Sequence, residues 1–256
     1  MCQEGITPNE KTFGKLMEAA AKVGEVTVAE GWLRMHVEAG FQLDMMDLNT
    51  MAASFAKLGD LKGAERWLFD EAGKLGLSPT TTSFNILMDL ARDTREAESW
   101  LERMETSRLL PDLLTYNTLM AVAARGGGAE AVSQAAGWFE KAQQAGCDPD
   151  LRSFNSILNA CASCGDAEQA QVWLSRMQRA GFRADTLSYG SLISSLARQS
   201  EVQEAERYLQ ISLEMRAEPD IISYTEVINA MASVKNGTAA ARWLTAALDA
   251  AWCCLR

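Results

Sequence analysis

The sequence predicts an all-α chain: a solenoid of about seven helix-turn-helix repeats, each close to 35 residues long. Three observations predict it. Trp32, Trp67, Trp100, Trp138, Trp173 and Trp243 are separated by 35, 33, 38, 35 and 70 residues, and Tyr208 stands at the midpoint of the last interval. A second series, Phe13, Phe84, Tyr116, Phe154, Tyr189 and Tyr224, has Leu48 in its one gap. It runs ahead of the first by 19 residues in five repeats, by 16 in the third and by 22 in the fourth. Two large side chains per repeat at nearly fixed separation require two packed elements per repeat. Finally, all five prolines (Pro8, Pro79, Pro111, Pro149, Pro219) fall at the same junction, followed by Asn9, Thr80, Asp112, Asp150 and Asp220. Proline inside a helix costs about 3 kcal/mol, so confining it to junctions leaves the rest free to be helical. Hairpins of this length cannot bury their apolar faces alone and stack on one another.

Taken in order, residues 1–9 align with 177–185 and read as the end of a preceding repeat's second helix, so the expectation is either a segment of a longer array or a mispredicted start at Met1. The first repeat spans 10–44, with Gly24 at its turn and Gly40 closing its second helix; the second spans 45–80, with Gly59 at the turn. The third, 81–112, is short at 32 residues, and the fourth, 113–150, is long at 38, with Gly126-Gly127-Gly128 between its helices. The fifth, 151–185, shows the period most clearly. Phe154, Ile157, Leu158 and Cys161 lie at i, i+3, i+4 and i+7, as do Ala170, Trp173, Leu174 and Met177, and Gly165 marks the turn. Gly146 and Gly181 close second helices, where a left-handed cap needs no Cβ. The sixth repeat is 186–220. The seventh, 221–256, ends without the junction pattern and reads as degenerate or capping.

Composition removes several function classes. Lys and Arg number 24 against 34 Asp and Glu, a net charge of −10, which argues against a DNA-coating protein. No apolar run approaches the roughly 20 residues of a membrane span. The opening MCQEGITPNE shows no targeting or signal peptide. His36 is the only histidine, which removes most His-based triads and metal sites; it reads as a packed or surface side chain. Cys161-Ala162-Ser163-Cys164 is a single C-x-x-C with no matching second pair, so no metal is expected, and six irregularly spaced cysteines suit a reducing compartment. Asn236-Gly237-Thr238 fits a glycosylation sequon with nothing else to indicate secretion. No phosphate loop, acid–base pair or nucleophile constellation stands out, so neither enzymatic activity nor a cofactor is expected.

The junction carries the family signal. It reads Gly-x-x-Pro-Asp, as in Gly146-Cys147-Asp148-Pro149-Asp150. The next repeat then opens on a run such as Leu151-Arg152-Ser153-Phe154-Asn155-Ser156-Ile157-Leu158 or Leu113-Leu114-Thr115-Tyr116-Asn117-Thr118-Leu119. The early Trp and following Leu-Gly of the tetratricopeptide pattern are absent. Recurring over essentially the whole chain, this pattern closely resembles the pentatricopeptide repeat, in a P-type-like array. The resemblance implies a right-handed α-solenoid that binds single-stranded RNA one base per repeat. It also implies work on organellar transcripts (processing, stability or translation) in the chloroplast or mitochondrion.

By the same resemblance two residues per repeat read the base: the one after the first-helix aromatic and the last of the repeat. These are Asn49 with Thr80, Asn85 with Asp112, Asn117 with Asp150, Asn155 with Asp185, and Gly190 with Asp220. Gly14 with Asp44 lacks an amide, and Thr225 would face Leu255. An Asn amide offers a donor and an acceptor to a base edge, and an Asp can hold it in one orientation. The Asn–Asp pair implies uracil, with cytosine second, so the third to fifth repeats suggest a U-rich core. The residue two before the aromatic would clamp the base: Lys11, Met46, Thr82, Leu114, Arg152, Leu187 and Ile222. Lys22, Lys57, Arg125 and Arg198, nine residues after the aromatic position, would lie near the RNA backbone, with Arg92 one residue earlier in its repeat. Helix capping by the Asn and Asp residues, and dipole compensation by the cations, remain open alternatives.

Dividing the charge by repeat sharpens the −10. The first sixteen residues of each repeat, or 81–93 in the third, together carry only −1, so the acid lies in second helices, junctions and ends. An RNA-facing inner surface is then near neutral. The alternative, a scaffold for protein partners, draws on the overall acidity.

Overall fold

The computed structural model describes residues 9–253, with side chains described as far as Asp249. The expected tail of a preceding repeat at 1–8, and Leu255, lie outside the described residues. Every element among the described residues is a helix. Two compact parts divide at Val122 and Ala123. In the first, Glu10–Val23 pairs with Val26–Glu38, and Met45–Lys57 pairs with a helix made of Leu61–Glu65, Arg66–Glu71 and Ala72–Lys74. Thr81–Leu90 then pairs with Thr94–Thr106. Leu113–Gly126 carries the chain over the division. The second part holds Ala131–Gln144, then Leu151–Cys164 with Ala167–Arg179, Thr186–Arg198 with Val202–Glu214, and Ile221–Ser233 with Gly237–Cys253. Within each part, first helices pack on the first helices of neighbouring repeats.

Side-chain caps start the first helices. Asn9 accepts from the Thr12 N–H at 2.9 Å, Asp112 from Thr115 at 2.8 Å, Asp150 from Ser153 at 2.9 Å, and Asp220 from Ser223 at 2.8 Å. Each such cap is worth about 1 kcal/mol. The turn between helices needs a left-handed residue. Gly24 and Gly165 supply it at φ 74°, but the same place in the sixth repeat is held by Ser200 at φ 62°. A Cβ is disfavoured there by about 1 kcal/mol. Ser200→Gly is therefore expected to raise the thermal midpoint by about 2–4 °C, read by circular dichroism; a fall would show that the Ser200 side chain stabilises the turn.

Two features depart from a regular array. The second helix of the second repeat widens to a π-helical stretch at Arg66–Glu71. The short third repeat loses its extra residues from the first helix, which stops at Leu90 and leaves Ala91 extended at ψ 137°.

The core is aromatic at its centre and cationic at its rim. Phe154 is 2% exposed and meets Phe139 at 5.1 Å, Trp173 at 6.4 Å and Phe182 at 5.5 Å between ring centroids. Trp100, Trp138, Trp173 and Trp243 are buried in second helices, as packing residues should be. Cations three residues on cover several of them. Arg103 lies 5.0 Å from the Trp100 ring, Lys141 3.8 Å from Trp138, and Arg176 4.6 Å from Trp173. These four tryptophans are thus packing residues, while Trp32 and Trp67 are half-buried. His36 is a packed residue, stacked on Phe41 at 5.1 Å and edge-on to Phe13 at 5.7 Å.

Candidate nucleic-acid interface

Stacking first helix on first helix sets the fifth residue of one repeat beside the junction that opens the next. In the fifth repeat the Asn155 amide Nδ2 donates to both carboxylate oxygens of Asp185, at 3.2 and 3.1 Å. In the third, Asn85 Nδ2 reaches Asp112 Oδ1 at 3.5 Å. In the second, Asn49 Nδ2 reaches the Thr80 hydroxyl at 3.4 Å. These Asn residues therefore cap no helix: each sits within its own helix and turns its amide to the following junction. The Asp residues do both jobs. Asp185 Oδ1 also accepts the Ser188 N–H at 2.9 Å. Asn117 is buried on Leu113–Gly126 in the first part, and Asp150 caps Leu151–Cys164 in the second. Gly190 presents no side chain, and Asp220 caps Ile221–Ser233.

The apolar ones among the expected clamp positions are exposed. Met46 is 74% exposed, Leu187 63% and Ile222 64%. They stand on the first turn of their helices. An open pocket of about 660 Å³ joins Met46, Asn49, Thr80 and Thr82 to Lys22 and Lys57. A second, about 620 Å³, includes Lys11, Gly14, Asp44 and Met46. The positions expected to read, to clamp and to meet the backbone in the first two repeats therefore line two overlapping pockets within the first part.

The cations differ in their availability. All four stand in the last turn of a first helix. Lys22 is paired with Glu18 at 3.0 Å, and with Lys15 it holds the Glu18 carboxyl down at about 2. Arg198 Nη1 donates to the Ser163 carbonyl at 2.9 Å, so it caps the preceding first helix. Arg125 is exposed, and Lys57 is exposed at the edge of the larger pocket.

A hydroxyl series escaped the sequence reading. Ser83, Thr115, Ser153, Ser188 and Ser223 each stand immediately before the first-helix aromatic, and each is buried. Ser83 Oγ donates to Asn49 Oδ1 at 2.7 Å, and Ser188 Oγ to Asn155 Oδ1 at 2.7 Å. Their signal was present: from the third repeat onward the position is always Ser or Thr. In the second repeat Asp47 takes this place, its carboxyl pushed up chiefly by burial while the Asp44 N–H, 3.1 Å away, opposes the shift.

Other sequence features carry no site. No metal-binding group of His, Cys, Asp or Glu occurs among the described residues. Burial pushes the Cys161 thiol up to about 12, and Cys164 Sγ points at the Ala160 carbonyl at 3.2 Å. The sequon residue Asn236 accepts the Ala239 N–H at 3.2 Å and so caps its helix. Among the described residues no helix is long and apolar enough to cross a membrane.

Comparison with known proteins identifies the repeat. Residues 33–92 and 88–126 match the family described as pentatricopeptide repeat domain, 149–198 the PPR repeat family, and 187–215 the PPR repeat. Two chloroplastic pentatricopeptide repeat-containing proteins of Arabidopsis thaliana are similar. One is 34% identical over 70 residues, 27% of this chain and 13% of that protein. The other is 25% identical over 123 residues, 47% of this chain and 16% of that protein. Matches of this extent span a small part of both relatives. Among solved structures, the pentatricopeptide repeat protein PPR10 in complex with an 18-nt psaJ RNA element shares the helical-repeat solenoid fold. Its TM-score is 0.67 at 21% identity, covering 98% of this chain and 42% of that one. The PPR domain of Arabidopsis thaliana protein-only RNase P 1, in complex with tRNA, has a TM-score of 0.55 at 16% identity, covering 72% of this chain and 96% of that one. The chain belongs to the pentatricopeptide repeat family.

Proposed function

We propose that the chain binds single-stranded RNA, one base per repeat, and acts by occupancy on organellar transcripts in their processing, stability or translation. The observation that carries this reading is the Asn155 amide, held by both oxygens of Asp185 with its second N–H left to offer. The third and fifth repeats present this pair, and the fourth has it in sequence as Asn117 and Asp150, so the preferred core is U-rich. Support comes from solved relatives crystallised with RNA and from relatives named as chloroplastic. The chloroplast or mitochondrion is the proposed location.

The charge sets the character of binding. A net −10 repels phosphate at long range, so affinity is modest and leans on base contacts. Anisotropy titration at low, stated salt should show a U-rich single strand binding while the same sequence as duplex does not. Absence of binding to any RNA would support the second reading, a protein-interaction scaffold, which the acidity favours. Within the RNA reading, Lys57→Ala should weaken all sequences alike and lower the magnitude of the salt slope by about 1. A loss confined to one sequence would make Lys57 a base contact instead.

A further inference from the structure

We propose that the buried hydroxyl before the first-helix aromatic is, in Ser83 and Ser188, a specificity-determining positioning residue, which fixes the carbonyl end of the preceding repeat's reading Asn. This rests on the RNA-binding reading above. An amide has two ends, and the junction Asp holds only Nδ2. Without a donor on Oδ1 the amide plane can swing about its bond to the carboxylate, presenting donor and acceptor to a base in more than one direction. Orientation that is fixed beforehand costs nothing when the base arrives.

The repeats differ in how firmly this end is held. Ser188 has one hydroxyl proton, and Asn155 Oδ1 at 2.7 Å and Asp185 Oδ1 at 2.8 Å both lie within its reach. The carboxylate oxygen already takes the Ser188 N–H and an Asn155 N–H. Giving the proton to Asn155 leaves both acceptors satisfied, so this Asn is held at both ends. Asn49 is held at its carbonyl end by Ser83. For Asn85 of the third repeat the place is filled by Thr115 of the fourth, whose hydroxyl lies 2.8 Å from Asp112 Oδ1, as Ser188 does from Asp185. The Asn85 carbonyl oxygen is then buried with no hydrogen-bond partner, and its amide nitrogen has only the 3.5 Å contact to Asp112. The sixth repeat shows that the position belongs to the reading site. A Cβ built on Gly190 would stand 3.2 Å from Ser223 Oγ, so the hydroxyl waits where an Asn side chain would begin.

The test uses 12-nucleotide single strands with a UUU core, each core base replaced in turn by adenine. Asn155→Ala and Asn85→Ala first identify the bases that the fifth and third repeats read, as those where discrimination vanishes. At the fifth repeat's base, Ser188→Ala should lower the uracil-over-adenine affinity ratio about fivefold, the worth of one hydrogen bond. Thr115→Ala, where no bond to Asn85 is lost, should leave the ratio at the third repeat's base within about twofold. Ser223→Ala removes a comparable helix-cap contact but has no amide to hold, so it should lower the melting temperature and leave every ratio within about twofold. An unchanged ratio in Ser188→Ala, with a lowered melting temperature only, would reduce the series to helix caps and overturn the proposal. Failure of the unmodified chain to bind any of these strands would instead overturn the RNA reading and this proposal with it.

Discussion

Phe154→Ala is expected to lower the stability of the second compact part by about 3–5 kcal/mol, the usual cost of emptying a buried aromatic site. The ring is 2% exposed and touches Phe139, Phe182 and Trp173, which come from the second helices and junction of two neighbouring repeats. None of these partners can move into the space without leaving another contact. In a repeat array the damage stays near its origin, because stability is carried by each hairpin and its immediate interfaces. Denaturant unfolding followed by tryptophan fluorescence should show an earlier transition from Trp138 and Trp173. A loss below about 1 kcal/mol would show that the aromatic cluster is not the centre of that core.

Asn155→Ala carries the second large effect, on binding rather than folding. The substitution leaves the Asp185 cap of Thr186–Arg198 in place, so the helix still starts where it did. It removes the amide that neutralises one side of the Asp185 carboxylate and leaves that charge facing the base. The expected cost is about 1–3 kcal/mol for RNA with uracil at that position, with discrimination among bases there abolished. Competition binding with single-base variants measures it. Equal losses at every position would mean that Asn155 supports the surface without reading a base.

Much of this architecture was legible because helical repeats write themselves into sequence as spacing. Trp32 to Trp173 and Phe13 to Tyr224 mark the two helices of each repeat because a packed face recurs at fixed intervals. The prolines and Asp residues mark the starts because the one cannot sit inside the preceding helix and the other caps the helix that follows. The pairing of Asn155 with Asp185, thirty residues apart, was legible only through family resemblance, since capping by either residue accounts for the same letters. The hydroxyl series was missed for a related reason. Ser188 reads as an ordinary first-turn residue until the next repeat is stacked on the last, and only then does its oxygen meet Asn155. The π-helical stretch at Arg66–Glu71 was invisible, because the apolar spacing of Ala64, Leu68 and Ala72 suits a regular helix equally well. The fates of Lys22 and Arg198 were hidden too. Their position in the last turn was clear, but pairing with Glu18 and with the Ser163 carbonyl depends on side-chain reach.

The most direct test of base reading by this array is selection from a randomised single-stranded RNA pool, followed by sequencing of the bound fraction at low salt. The expected result is an enriched motif with three adjacent positions dominated by uracil, cytosine second, flanked by tolerant positions opposite the Gly14 and Gly190 repeats. Enrichment without any positional preference, or no enrichment over the input pool, would contradict it.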